Sequence, residues 1–320
     1  MNKEGKFLID INDPENWLRL NYDQHPGQPV NEEQRQILWP EGPNQAFEFT
    51  DSVFYGGSTY HEHAFGWETF FLTAGRMDLT CHGKICTCEA GDILLIQPYC
   101  AHQMQFLEQG HWRGTFHDIN MASIQNNWDR MRQYDSDCLD DEVIKGTYMA
   151  NRYNILREPA LPTRVDKSEM WEVRNKDKYL TRYDFEGVTL KQMTARWENN
   201  GVTEMWRAEM QDGFGVQYER VLPNQDLFYV ESGRVEFTVA GETFTAHQDC
   251  LVKIPCFVPR AFVSRGASVM YDIGGTTHWL DVIEDYLSIR HYQPEKLKDE
   301  TYMHTVLRRH ECYVKQFGLL

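Results

Sequence analysis

Apolar and polar residues alternate along much of this chain with a period of two. In RMDLTC at 76–81, Met77, Leu79 and Cys81 fall on one side; in RVEFTV at 234–239, Val235, Phe237 and Val239 do the same. That period predicts half-buried strands. GDILLIQP at 91–98 and DCLVKIP at 249–255 are nearly continuous apolar runs that end at a proline, the pattern of strands buried on both faces. Glycines at 56, 57, 75, 83, 91 and 110 cut the first half into turns. Helical spacing appears in ASIQNNWDRMRQY at 122–134 and in HWLDVIEDYLSIRHY at 278–292, where Trp279, Val282, Ile283, Tyr286 and Leu287 share a face.

The pattern repeats. ETFFLTAGRMDLTCHGKICT at 68–87 aligns with DLFYVESGRVEFTVAGETFT at 226–245, matching Gly75/Gly233, Arg76/Arg234, Thr80/Thr238, Gly83/Gly241 and Thr87/Thr245 at one offset of 158 residues. A fainter echo follows each copy, TFHDIN at 115–120 and VMYDIG at 269–274. The chain therefore reads as two copies of one β module, residues 1–150 and 151–320, each closed by helix. Residues 135–175 are polar and irregular, and REPALPTRVDK within them reads as a linker or crossover.

Composition narrows the function. Apolar residues make up 41% of the 320, enough for a sizeable core, and aromatics at 13% suit enclosed β-rich pockets. A net charge of -16 repels phosphate backbones and anionic membranes, and basic clusters such as VLRRH at 306–310 are short. Neither nucleic acid nor membrane is expected as a partner, and a homo-oligomer is left open. The stretch MNKEGKFLIDINDPENW is charged throughout and no run reaches about 18 apolar residues, so neither a secretory leader nor a membrane span is expected. A cytoplasmic location with mostly reduced cysteines follows as an expectation. Cys81, Cys86 and Cys88 in CHGKICTC fit no common zinc spacing and read as small apolar packing residues.

The chemistry concentrates in YGGSTYHEHAFGWETFFLTAG at 55–75. In a strand, His61 and His63 point the same way, so two imidazoles can grip one ion. Glu68 opens the next strand beyond Gly66, and GDILLIQPYCAHQMQF at 91–106 supplies His102. Three neutral imidazoles and a carboxylate suit Fe(II), Mn(II), Ni(II), Co(II) or Zn(II) and leave positions open for substrate, oxygen or water.

These residues resemble the cupin superfamily. Its first motif, glycine, HxH, glutamate and glycine, is matched by Gly56 or Gly57, His61, His63, Glu68 and Gly75. Its second, Gly-Asp through proline to histidine, is matched by Gly91, Asp92, Pro98 and His102. Gln97 and Tyr99–Cys100 stand where a proline–glycine turn is usual. The resemblance implies an all-β dominated fold of two tandem jelly-roll barrels, a bicupin, with flanking α-helices and one divalent metal per chain, iron foremost. In the second copy the offset carries His61 to Glu219, His63 to Val221, Glu68 to Asp226 and His102 to Arg260, or to Pro259 after a one-residue slip. No histidine survives, so that module is expected to keep the barrel without the metal.

By strand parity Tyr55, Thr59, Phe70, Leu72 and Met104 line the pocket. Phe65 and Trp67 cap it from the loop, Gln97 and Tyr99 offer polar contacts, and His117 is the candidate acid or base. No arginine or lysine falls beside the ligands, which favours a neutral or aromatic small-molecule substrate over an acid such as oxalate. Family analogy makes an iron-dependent dioxygenase the leading reading. A non-redox isomerase or lyase, and a non-catalytic small-molecule-binding cupin, are the alternatives.

Overall fold

The computed structural model describes residues 7–20, 30–38, 47–64, 67–117, 131, 133–135, 141–150, 153–159, 161–198, 204–220, 225–273, 279–310 and 312–317. They form two compact units, Trp17–Lys178, and Asn2–Asn16 with Tyr179–Leu320. Each is a pair of β-sheets around its own core.

In the first unit one sheet runs Tyr153–Ile155, His61–His63, His102–Phe106, Arg76–Cys81, Lys84–Glu89, Thr163–Arg164. The other runs Val173–Arg174, Ile93–Ile96, Trp67–Ala74, Gly110–His117, Phe47–Tyr55, Val30–Leu38, Arg19–Leu20. Their inner faces meet in one cluster: Phe70, Leu72, Leu94, Ile96 and Trp112 from one sheet, Met77, Leu79, Met104 and Phe106 from the other. Met77, Leu79 and Cys81 face the core at 0–1% exposure as expected, but Asp78 and Thr80 between them are also buried, so this strand is covered on both faces and not half-buried; Ile93–Ile96 is buried on both faces.

The second unit repeats this plan. Leu8–Asp10, Cys250–Ile254, Asp226–Ser232, Ser268–Asp272, Met205–Met210, Val188–Thr194 and Thr181–Phe185 form one sheet. Glu242–His247, Arg234–Val239, Arg260–Ser264, Gly215–Arg220 and Cys312–Phe317 form the other. Registers match at the 158-residue offset: Glu68 pairs with Ile96 as Asp226 pairs with Ile254, and Cys81 with His102 as Val239 with Arg260. Arg260, not Pro259, is thus the counterpart of His102. The fainter echo fails, because Gly114 pairs with Phe70 as Asp272 pairs with Phe228, four residues out of step with TFHDIN and VMYDIG.

The repeated glycines have steric causes. At φ 81° and 79°, Gly75 and Gly233 sit where a Cβ would come within 2.6 Å of the Gln109 carbonyl and 2.4 Å of the Ala267 carbonyl. Gly83 and Gly241 close two-residue turns in which both residues have positive φ, the geometry that matches strand twist.

One expectation needs correction and another is narrowed. The division falls after residue 178 and not at 150, and of the two readings of REPALPTRVDK the crossover holds, not the linker. Tyr153–Ile155 pairs with His61–His63, Thr163–Arg164 with Lys84–Glu89, and Val173–Arg174 with Ile93–Ile96. Short strands without apolar alternation leave no periodic mark, because edge strands are held by backbone hydrogen bonds. Likewise Leu8–Asp10 joins the second unit by pairing with Cys250–Ile254. Helices cover Asp141–Ala150, Trp279–Tyr292 and Glu300–Arg309. Val282, Ile283 and Tyr286 are buried as the spacing predicts, whereas 122–134 falls largely outside the described residues. Among those residues no helix is long and apolar enough to cross a membrane.

On the outer face of the first barrel, Asp51 is 1% exposed and accepts from Arg113 Nε and His111 Nε2, each at 2.9 Å. Burial pushes its carboxyl up, but His111 and Arg113 outweigh that and hold it below the ordinary aspartate value. A lowered folded value means stability that is present above the unfolded pKa and lost as pH falls through the folded one. Urea midpoints measured from pH 7 down to pH ~2 should therefore decline at the acid end, and Asp51→Asn should flatten that decline while lowering stability near neutrality. An unchanged profile in the variant would assign the acid sensitivity elsewhere.

Candidate metal centre

The strand His61–His63 is three residues long and buries both histidines, at 4% and 6% exposure, with Glu62 between them facing away. It is held on both sides: Tyr153–Ile155 pairs along one edge, and His102 lies directly opposite His61 on the other. That pairing sets the His61 and His102 rings 4.2 Å apart. Glu68 comes from the facing sheet, on the face that carries Phe70 and Leu72.

Backbone carbonyls orient two of the rings. His61 Nδ1 donates to the Thr59 carbonyl at 2.8 Å and His102 Nδ1 to the Cys100 carbonyl at 2.9 Å. A carbonyl only accepts, so each Nδ1 carries the proton and Nε2 keeps the lone pair, the tautomer a metal requires. Burial drives the His61 pKa down to about 4 and that of His102 well below its usual value, so both are neutral at pH 7. Glu68 goes the other way. Burial raises it, but the charge and hydrogen bond of His63, then the nearby His102 and His61, hold it well below the ordinary carboxylate range.

Glu68 Oε2 lies 3.2 Å from His63 Nε2 and 3.7 Å from His102 Nε2. Ligand atoms of His63, Glu68 and His102 all fall within 4.8 Å of one another. His102 Nε2 is buried and makes no hydrogen bond, an arrangement that is unfavourable for a bare polar atom and suited to one that coordinates. The imidazole of His63, the oriented imidazole of His102 and the ionised carboxylate of Glu68 thus fit a divalent transition ion. His61 stands beside this group and outside it, its ring 6.2 Å from that of His63.

Known proteins agree on the architecture. Residues 55–163 match the family model described as an AraC-like ligand binding domain. No curated protein matches the chain in sequence. Among solved structures, the chain is similar to the oxalate decarboxylase of Lactobacillus farciminis in its formate complex, at 15% identity over 86% of this chain and 87% of that one, with a TM-score of 0.54. It is also similar to the Bacillus subtilis oxalate decarboxylase studied for its Mn(II) centres, at 14% identity over 97% and 89%, with a TM-score of 0.52. The chain has the bicupin fold. Identity this low speaks for the fold and leaves the chemistry to the residues.

Within the first barrel, Phe70, Leu72 and Met104 join the inner cluster, at 2–4% exposure. Trp112, which carried no signal in the sequence beyond its aromaticity, stacks on Phe70 at 4.1 Å. Parity fails further back. Tyr55 is 50% exposed and Thr59 is exposed, because the strand Phe47–Tyr55 turns its even residues inward and ends before Gly56, at φ 75°. Thr59 contributes only its carbonyl. Trp67 is no loop cap: it begins a strand, alternates away from Glu68 and packs edge-on against Trp171 at 6.1 Å. Phe65 lies outside the described residues. His117 pairs in backbone register with Trp67, the position alternate to Glu68, and its side chain is outside those described. Gln97 is half-buried and opens the turn that binds the ligand strand, with its carbonyl accepting from Cys100 N–H and Tyr99 N–H donating to the His63 carbonyl at 2.8 Å. Tyr99 itself is 60% exposed.

The sequence reading missed a polar floor. Glu48, Thr50 and Ser52 share the inward face with Phe54, and Phe116 links Glu48 to Glu68 in register. Gln36 Nε2 donates to Glu48 Oε1 at 3.0 Å. Alternating polar residues read as a solvent-facing edge in sequence, so only the neighbouring strands reveal them as interior. The same pair recurs in the other barrel, where Gln192 Nε2 donates to Glu204 Oε1 at 2.9 Å. Its presence in the barrel that carries Asp226 and Arg260 in place of Glu68 and His102 makes it part of the frame.

That other barrel holds Asp226, 0% exposed, paired with Arg260, 3% exposed, at the positions of Glu68 and His102. Tyr218, not Glu219, lies opposite Arg260, as His61 lies opposite His102. The guanidinium thus supplies the positive charge that the carboxylate needs. Arg260→Met alone should cost about 3–5 kcal/mol by stranding Asp226, whereas Arg260→Met with Asp226→Leu should recover most of it. Chemical denaturation reads both, and equal losses in the single and double variants would refute the pairing.

Proposed function

We propose that this chain is a mononuclear metal enzyme acting on a small neutral or aromatic organic molecule, with one divalent transition ion held by His63, Glu68 and His102 and, after a small ring movement, His61. The observation that carries this reading is the convergence of three buried ligand atoms within 4.8 Å in one barrel, at the place where the other barrel needs an arginine. Such an ion supplies Lewis acidity and open positions for substrate, and iron adds oxygen chemistry.

The chain's own residues set the conditions. Neutral His61 and His102 present Nε2, and Glu68 stays ionised. Phe70, Leu72, Met104 and Trp112 keep water from the inner side. Among the described residues, Arg113 and Arg35 pair with Asp51 on the outer face, Arg164 with Asp78, and Lys167 with Asp92. With these four charges committed away from Glu68 and its histidines, a neutral or aromatic substrate is favoured and, with it, a dioxygenase. A lyase is supported by the fold likeness to the oxalate decarboxylases. Ligand binding without turnover is supported by the match to the AraC-like ligand binding domain.

Protein purified without oxygen should contain an equivalent of a first-row transition metal that His61→Ala/His102→Ala loses while staying folded. Unchanged metal content in that variant would sink the site. Oxygen uptake with a panel of small aromatic substrates separates the readings: turnover only in air marks a dioxygenase, turnover without oxygen a lyase or isomerase, and binding without turnover a sensor.

A further inference from the structure

Cys81 ends its strand directly opposite His102, and Cys100 lies in the turn that leads into His102. Glu172, from the crossover segment, reaches the same place. One ligand atom from each lies within 4.8 Å of the others, and the three residues are 1%, 3% and 8% exposed. His82 stands at the open side, in the hairpin turn at φ 49°, with Nε2 3.9 Å from Glu172 Oε1 and its side chain 60% exposed. We propose that Cys81, Cys100, Glu172 and His82 form a second metal site, built for a thiophilic divalent ion of the zinc class.

The other barrel serves as a control. Val239 occupies the position of Cys81, and Val258 and Ala240 lie 158 residues beyond Cys100 and His82. Val239 is wholly buried and Val258 packs against the same core, so the barrel closes without thiols. Phe7 takes the position of Glu172 there, because Leu8 and Ile9 pair with Val252 and Leu251 as Val173 and Arg174 pair with Leu94 and Ile93, and the Phe7 carbonyl accepts from Lys253 N–H as the Glu172 carbonyl accepts from Leu95 N–H. Packing alone accounts for Cys86 and Cys88, whose sulfurs lie 3.8 Å apart. It does not account for two thiols, a buried carboxylate and an imidazole gathered together.

Two thiolates, a carboxylate and an imidazole make a tetrahedral donor set that zinc accepts and that manganese, magnesium and calcium do not favour. Each thiol releases its proton to solvent as the ion binds. Exposed His82 provides the entry path. The site adjoins the imidazole–carboxylate centre through His102 and is told from it by its two sulfur donors, which give it a different spectrum.

Co(II) titrated into reduced, metal-free, full-length protein tests it. A thiolate-to-cobalt charge-transfer band should grow in the near ultraviolet, saturate at one equivalent and be displaced by Zn(II). Cys81→Val/Cys100→Val, which copies the other barrel, should abolish the band and leave the second equivalent of Co(II) bound. His63→Ala/Glu68→Ala should keep the band and lose that other equivalent. Far-ultraviolet circular dichroism checks folding, and Cys81→Ser alone offers a milder variant that should weaken the band. No band in the wild type, or a band that survives in the double valine variant, overturns the proposal.

Discussion

A carboxylate shut inside an apolar barrel needs a positive partner, and both barrels of this chain contain one at the same register position. Leaving such a charge unpaired costs several kcal/mol, so each barrel has had to supply a partner. The second uses a guanidinium, Arg260 on Asp226. The first surrounds Glu68 with imidazoles, two of which are driven towards neutrality by their own burial. Neutral rings satisfy a buried anion poorly. A divalent ion would satisfy both, which is the physical link between the two halves of the repeat and the support for the metal reading.

The surroundings hold that arrangement in place. The ligand strand His61–His63 is too short to be stable alone, and it is clamped between His102 and a strand from the crossover segment. The turn at 97–100 ties back to it through Tyr99 N–H. Carbonyls of Thr59 and Cys100 fix the ring tautomers. Backbone geometry, which is insensitive to side-chain identity, thus does most of the positioning. This explains how the proline–glycine turn expected before His102 can be replaced without moving the ligand.

Much of this was legible in sequence, element by element. The alternation in RMDLTC and RVEFTV, the glycine turns and the 158-residue repeat all report short-range physics: pleat period, positive φ, and two modules under the same packing constraints. Parity within one strand held for Phe70 and Leu72. It failed for Tyr55 and Thr59, because parity is lost wherever a turn or a strand end intervenes. The edge strands at 153–155, 163–164 and 173–174 left no mark in the sequence, because edge strands are held by backbone hydrogen bonds, which leave no side-chain pattern.

The sequence by itself determined the fold class, the repeat, and the set of residues from which a metal centre could be assembled. Those depend on residue type and local spacing, which one dimension preserves. Tertiary structure alone decided which of them meet. It placed His63, Glu68 and His102 together with His61 at their edge, turned the polar row of Glu48, Thr50 and Ser52 inward, and brought Cys81 to Cys100 and Glu172. Each of those meetings joins strands far apart in the chain. Their register is set by cross-strand hydrogen bonding and by the closure of two sheets over one core, which no local pattern encodes.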